Sequence, residues 1–308
     1  VPVAAQASPL SAGGVVDLDG GYGGFDARVA WTALEGDFEL TVGASGERQD
    51  QHRRGYENFA DGRLGVRGTL RRDQDDRVRS QDRYAQAWWR LAPRWALQAG
   101  ARHSQVRFRS SDRYITAANP DDSGQAEYAR LTPVAGLVFS PGEDWRVYLS
   151  AGRGFETPTF NELAYRADGQ GGLALDLLPA VSRNLELGAK WRDAGGLALE
   201  AALFRADTRD ELAVAGNSGG RSSFRNVGRA RREGAELSAR LPLAQDWSLE
   251  LAATWLDARF RDAFCSGTCT APGAVVAAGT RIPALPRHMG RLRLAHAGAA
   301  WNLAAEAT

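Results

Sequence analysis

Between Gln51 and Ser80 the sequence places ten side chains that carry charge or stack against it: His52, Arg53, Arg54, Tyr56, Arg63, Arg67, Arg71, Arg72, Arg77 and Arg79. Asp73, Asp75 and Asp76 are interspersed among them. A guanidinium offers a planar fork of N–H donors that matches a carboxylate and tolerates partial desolvation, so this segment suits capture of an anionic small molecule. Arg113, Tyr114, Tyr165, Arg166, Arg221 and Arg225 supply a second set of cations and aromatic faces that can pair with and stack on a chelate or planar acid. The expected ligand contacts are Arg53, Arg54, Tyr56, Arg113, Tyr114, Tyr165, Arg166, Arg221 and Arg225. A plain solvated loop accounts for many of the same charges.

The chain offers little that could do covalent chemistry, and no enzymatic role is expected. Gly216-Asn217-Ser218-Gly219-Gly220 spells Gly-x-Ser-x-Gly, but a nucleophile elbow needs a strand running straight into a helix and a partner histidine. Here the run is a glycine-rich loop before a strand. Cys265 and Cys269 sit in a loop-like Phe-Cys-Ser-Gly-Thr-Cys-Thr segment where a small disulfide ring is geometrically possible and fits an oxidising compartment. A metal half-site is the competing reading. Two cysteines cannot fill a zinc shell, and His52, His103, His288 and His296 are all distant in sequence, so no metal site is expected.

Bulk properties narrow the class. The 308 residues are 44% hydrophobic and 24% charged, which is the composition of a folded chain. The net charge of +1 comes from 38 basic residues, of which only Lys190 is lysine, against 37 acidic ones, so nothing indicates a nucleic-acid partner. No apolar run approaches the roughly 18 to 20 residues a membrane helix needs. Any membrane reading must therefore be a barrel. Val1-Pro2-Val3 lacks the basic start and apolar core of a signal peptide, as a mature or truncated product would.

The elements that position these residues announce themselves by a period of about fifty. Short polar turns occur at Pro93-Arg94, Pro141–Asp144, Asp193–Gly196, Gln245-Asp246 and Ala297–Ala299, each followed at once by Trp95, Trp145, Leu197, Trp247 or Trp301. An earlier turn at Glu35–Asp37 leads into Phe38 in the same way. Segments beside these turns alternate strictly: Trp145, Val147, Leu149 and Ala151 against Arg146, Tyr148 and Ser150; Leu185, Leu187, Ala189 and Trp191 against Asn184, Glu186 and Lys190. Period two means strand. A polar face bearing full charges suits a wet lumen, and an apolar face headed by tryptophan suits lipid contact. The long connections fall at about 50–80, 110–126, 155–182, 208–230 and 262–287. By the usual rule for bacterial barrels the tight turns are periplasmic and the long loops extracellular. A soluble six-bladed propeller is the alternative, but its blades need four short strands where each repeat here has two long ones.

Residues 150–192 carry a resemblance. The run Gly152-Arg153-Gly154-Phe155-Glu156-Thr157-Pro158-Thr159-Phe160-Asn161-Glu162-Leu163, then Leu178-Pro179 and Glu186-Leu187-Gly188-Ala189-Lys190-Trp191, resembles the barrel signature of TonB-dependent receptors. Phe224-Arg225-Asn226-Val227-Gly228, Arg232-Glu233-Gly234-Ala235-Glu236-Leu237 and Arg281-Ile282-Pro283 with Pro286-Arg287-His288 resemble later parts of the same pattern. The resemblance covers nearly the whole chain. It implies an all-β fold, a transmembrane antiparallel β-barrel in the bacterial outer membrane, in which 13 or 14 strands of a 22-stranded barrel are expected here. Residues 1–308 then read as a barrel segment incomplete at both ends, with no room for a plug domain before Phe25–Trp31 and no terminal aromatic at Thr308.

The resemblance further implies import of a scarce nutrient, with outer-membrane lipid and lipopolysaccharide, the TonB energy-coupling protein and a small-molecule ligand as partners, and no covalently bound cofactor. Receptors resembling haem importers carry a histidine after the Phe-x-x-Pro motif, and residues 155–182 contain none. Copper importers favour Met and His clusters, whereas Met289 is the one methionine. A ferric siderophore is the expected ligand. The alternatives are an anionic organic cofactor, for which the Gly152–Leu163 run and short Cys loop resemble the pyrroloquinoline quinone receptor branch, and a passive porin-like channel.

Overall fold

The computed structural model describes residues 14–61, 63–218, 221–243, 246–266 and 274–308. One antiparallel sheet of twelve strands forms the wall, with each strand bonded to its neighbour in chain order. They are β1 Gly14–Ala33, β2 Phe38–Glu57, β3 Leu70–Ala92, β4 Trp95–Asp112, β5 Gly124–Phe139 and β6 Trp145–Glu156. The second half holds β7 Ala180–Arg192, β8 Ala198–Arg209, β9 Ala230–Pro242, β10 Trp247–Phe260, β11 His288–Ala297 and β12 Asn302–Ala307. No helix among the described residues is long and apolar enough to cross a membrane.

The tight turns expected at Glu35–Asp37, Pro93-Arg94, Pro141–Asp144, Asp193–Gly196 and Ala297–Ala299 each join two neighbouring strands, with outward aromatics beside them, while Gln245 of the remaining turn lies outside the described residues. Trp31 meets Phe38 at 5.9 Å and Phe38 meets Trp89 at 6.4 Å, both edge to face. Trp95 and Phe139 lie 4.5 Å apart, Trp145 and Trp191 6.2 Å apart, and His296 stacks on Trp301 at 4.4 Å. Such cross-strand pairs contribute on the order of 0.5–1.5 kcal/mol beyond the area they cover. Above this girdle the outward face stays apolar and bare: Leu149, Leu187 and Leu203 are 48%, 50% and 61% exposed. A large apolar surface left open to the surroundings is what contact with lipid tails requires.

The opposite face is polar and paired. The Tyr148 hydroxyl donates to Glu186 at 2.5 Å, Lys190 reaches Glu200 at 3.1 Å, and Arg293 reaches Glu250 at 3.3 Å. Register sets Arg240, Glu250, Arg293 and Glu306 directly opposite one another on four successive strands, alternating in sign. Two inward tyrosines lie flat over glycines. A Cβ on Gly43 would come 2.3 Å from Tyr84 Cζ, and one on Gly188 2.4 Å from Tyr148 Cζ, so both strands need glycine at the crossing.

Two expectations shift. The wall has twelve strands among the described residues where 13 or 14 are expected, and the 208–230 connection holds a separate hairpin, Leu212–Ser218 with Arg221–Asn226, outside the wall sheet. The expected loop at 50–80 is mostly strand: β2 runs to Glu57 and β3 begins at Leu70, leaving 58–69 as the connection. Both faces of that extension are polar. It therefore lacks the apolar alternation that marks a strand in the sequence, while its register stays continuous from Phe38↔Trp89 up to Gly55↔Arg72.

Candidate ligand-binding site

The mouth is shaped by the connection between β6 and β7, which folds back against the inner face of the wall. It turns through a one-turn helix, α1 Phe160–Leu163, started by a capping box. The Thr159 hydroxyl accepts from the Glu162 N–H at 3.4 Å, and Glu162 accepts from the Thr159 N–H at 2.7 Å. Leu163, Ala174 and Leu177 are driven into a buried cluster with Phe108 of β4 and Ala126 and Tyr128 of β5. Phe108 takes Phe160 edge-on at 5.4 Å and Tyr128 at 6.0 Å. The Tyr128 hydroxyl donates to the Leu177 carbonyl at 2.9 Å, and burial, assisted by Asp176, pushes that phenol up to about 12.

A second clip ties this connection to the next. Asn226, in the Phe-Arg-Asn segment, accepts from the Leu178 N–H at 2.8 Å and donates to the carbonyls of Leu178 and Asp210 at 2.9 and 2.8 Å. Arg232 grips Glu211 with both terminal nitrogens at 3.0 and 2.6 Å. The sequence motifs thus hold two long connections in a fixed relation to the wall.

What the folded connection encloses is a two-lobed space with Arg53 between the lobes. One lobe, a cavity of about 300 Å³, is lined by Arg53, Arg72, Asp112, Asp122 and Tyr165 among others. The second, about 250 Å³, lies between Arg53, Gln51, Gln74, Asp76 and α1. Arg53 is in phase with the inward, buried Thr41 of β2, and it faces Gln74 across the strand pair. The Arg72 guanidinium lies 5.3 Å from the centre of the Tyr165 ring, a cation–π arrangement. The buried Asp76 accepts from Gln74 at 2.5 Å and from Ser110 at 2.7 Å, which fixes the floor.

Electrostatics favour an incoming anion on one side of this space. Burial, and then Arg72 beside it, push Arg53 below the usual guanidinium range, with Tyr165 and Asp76 acting the other way. A guanidinium stays protonated at neutral pH regardless, so Arg53 and Arg72 are two cations held close and partly dry. Asp122 is raised above 3.8 by burial and then by the neighbouring Asp112, with Arg72 opposing.

Of the expected contacts, Arg53, Tyr56 and Tyr165 line this space. Others are engaged elsewhere. Arg54 is in phase with the outward Val42 and pairs with Asp17 at 3.3 Å. Tyr56 also lies beneath the Arg67 guanidinium at 3.7 Å. Arg113 pairs with Asp75, and Arg166 with Asp168 at 2.5 Å, which holds the Asp168 carboxyl at about 2. The Tyr114 N–H donates to Asp112 at 2.9 Å. Arg225 donates to the Cys265 carbonyl at 3.0 Å. The Arg221 backbone pairs with Ser218 in the loop hairpin, and its side chain lies outside the described residues. Cys265 is disulfide-bonded, and its expected partner Cys269 lies outside the described residues.

Arg72 and Asp76 stand among the charges between Gln51 and Ser80 but not among the expected contacts, and residue type points to neither Gln74 nor Asp122. The signal that finds the first three is register: counted from Arg53, each lies on the inward phase of a paired strand.

Residues 6–307 match the sequence model of a family described as "TonB dependent receptor-like, beta-barrel". The pesticin receptor of Yersinia enterocolitica is 24% identical over 209 residues, which are 67% of this chain and 28% of that protein. The probable TonB-dependent siderophore receptor PiuA of Acinetobacter baumannii is 25% identical over 243 residues, covering 72% of this chain and 30% of the relative. Among solved structures, the copper transporter OprC superposes over 93% of this chain and 43% of its own at a TM-score of 0.73 with 16% identity. The PiuA crystal structure does so over 91% and 44% at 0.69 with 19% identity. These structural likenesses establish the fold. The chain spans less than a third of the length of the curated relatives it matches.

Proposed function

The chain belongs to the TonB-dependent receptor β-barrel family of the outer membrane, and from that premise we propose that it supplies wall and mouth to a receptor that binds a ferric siderophore outside the cell and passes it inward. The observation that carries this reading is the convergence of Arg53, Arg72 and Tyr165 from β2, β3 and the folded connection on one inward space. Two close guanidiniums and an aromatic face suit a bulky chelate with anionic oxygens, because each fork can pair with an oxygen while the ring covers the ligand's flat part. The relatives named as siderophore and pesticin receptors support the same class.

In this reading the residues bind and orient, and no covalent step occurs. The twelve strands form part of a larger closed barrel, since lipid offers no partner to the open edges of β1 and β12. Energy from the TonB protein of the inner membrane drives release inward. Lipopolysaccharide and lipid surround the outward apolar face.

The test is calorimetry on the full-length receptor in detergent, titrated with catecholate, hydroxamate and carboxylate ferric siderophores and with pyrroloquinoline quinone. Saturable binding of a ferric siderophore, weakened by Arg53→Ala and by Tyr165→Ala, is the expected result. Binding of pyrroloquinoline quinone alone would replace the ligand, and ion conductance without saturable binding of any probe would mark a passive channel.

A further inference from the structure

The strand extensions that carry Arg53 also carry a histidine on their other face. His52 lies fourteen residues beyond Phe38 on β2. At about 3.3 Å per residue and a tilt of about 40°, that is roughly 35 Å above the girdle, past the ~25 Å apolar band of such barrels and into water. Its neighbours Gln51 and Arg53 line the ligand space, while His52 is in phase with the outward Arg54.

Both ring nitrogens face carboxylates of β3. Nδ1 lies 2.6 Å from Asp75 Oδ1, and Nε2 lies 3.3 Å from Asp73 Oδ1. A neutral imidazole has one N–H and one lone pair, so it serves one of these carboxylates and turns a lone pair on the other. The imidazolium presents an N–H to each. Asp73 Oδ1 is buried and meets no donor in hydrogen-bonding geometry among the described residues, so positive charge on the ring compensates it where no hydrogen bond does. The hydrogen bond from His52 holds the Asp75 carboxyl below its usual range, with burial opposing and Arg113 assisting.

Charges from four elements surround the ring. Asp19 of β1 stands opposite His52 in register. On β2, Asp50 is held by Arg48 and Arg77, and Arg54, opposite Asp73, is drawn to Asp17 at 3.3 Å. Arg113 heads the connection between β4 and β5. Its N–H donates to the Asp73 carbonyl at 2.7 Å, and its guanidinium pairs with Asp75. Asp112, beside it, accepts from the Asp122 N–H at 3.3 Å, and Asn119 and Asp122 of this connection line the ligand space. The two aspartates that hold His52 thus also hold one wall of the mouth.

We propose that His52 is a positioning residue for the mouth: its protonated ring latches Asp73 and Asp75, and through Arg113 the 113–123 connection, and the latch slackens as the ring loses its proton. Between about pH 5 and pH 8 histidine is the side chain whose charge changes. Asn119 and Asp122 are therefore set firmly in acid and loosely in alkali. The consequence for ligand rests on the proposed binding site, whereas the latch stands on its own ion pairs.

The experiment is hydrogen exchange on the full-length receptor in detergent, without ligand, at about pH 5.5 and about pH 8. Rates are divided by the intrinsic rate at each pH, so that structural protection alone is compared. In the wild type, protection of 113–123 should fall about tenfold from acid to alkali, the scale of one charge-assisted hydrogen bond, while the wall strands keep theirs. His52→Arg, a permanent cation, should be protected at both pH values, and the uncharged His52→Gln at neither. Equal wild-type protection at both pH values, or a His52→Gln variant that keeps the step, would overturn the latch. Ferric-siderophore affinity should weaken about threefold over the same rise in pH, a change that His52→Arg removes and Asp122→Asn keeps. An exchange step without an affinity step, in a receptor that binds the siderophore, would overturn the positioning role. The exchange measurement needs no ligand, so failure of the siderophore reading leaves it standing.

Discussion

At its tight-turn end the wall is organised by what faces outward, and at its mouth by what folds inward. The girdle pairs Trp95 with Phe139 and Trp145 with Trp191 across strands, on a surface where alternation of side chains does all the sorting. The mouth keeps its strand extensions in register although both faces are polar, and it draws its apolar contacts from a connection far away in sequence: Leu163, Ala174 and Leu177 against Phe108 and Tyr128. The girdle end is thus built from local pattern, and the mouth from tertiary packing. A substitution at one end should leave the other largely undisturbed.

The sharpest way to break this division is Phe108→Ala. Phe108 is 5% exposed and holds both Phe160 and Tyr128, and truncating a buried Phe costs about 3–5 kcal/mol. Limited proteolysis should then cut within 157–179 and ligand affinity should collapse, while the heat-resistant migration of the folded barrel on gels persists. Next in size is Arg53→Ala, which leaves the fold intact and should weaken ferric-siderophore binding by about 10- to 100-fold, a loss of charge-assisted hydrogen bonds worth about 1.4–2.7 kcal/mol. Arg54→Ala, one residue along on the opposite face, should change affinity by less than about threefold.

Trp145→Ala is the reciprocal case. Losing the contact with Trp191 should lower stability by about 1 kcal/mol in denaturant titration and leave ligand affinity unaltered. The smallest effect concerns pH. Asp122 is raised above 3.8 by burial and Asp112, so as pH falls it takes up a proton before ordinary carboxylates do and removes a negative charge beside Arg72. Affinity for an anionic ligand should therefore tighten, about two- to fivefold, as pH falls through that raised value. Asp122→Asn should show the tighter affinity at pH 7 and lose the pH step.

How much the sequence disclosed follows the same division. The turns at Pro93-Arg94 and Pro141–Asp144, the tryptophans after them and the two faces of β6 and β7 are legible because a one-residue slip would turn Leu187 inward and Glu186 into lipid. The extensions around Gln51–Glu57 and Leu70–Ser80 are not, since a strand polar on both faces has no period to read. Residue type picks out Arg53 and Arg54 equally. Only register separates the one that faces Gln74 from the one that pairs with Asp17. Tyr165 reaches Arg72 because a buried cluster folds its connection inward, and that packing is a tertiary event with no local signature.

The central claim is that the connection after β6 is docked inside the mouth and completes the site. Hydrogen exchange on the full-length receptor, followed by mass spectrometry, addresses it directly. Leu163 and Ala174, each 2% exposed and joined by the Ala174 N–H to Leu163 carbonyl bond at 2.8 Å, should exchange as slowly as the wall strands, while 166–172 exchanges fast. Exchange of the whole 157–179 segment at the rate of an unstructured loop would contradict the account.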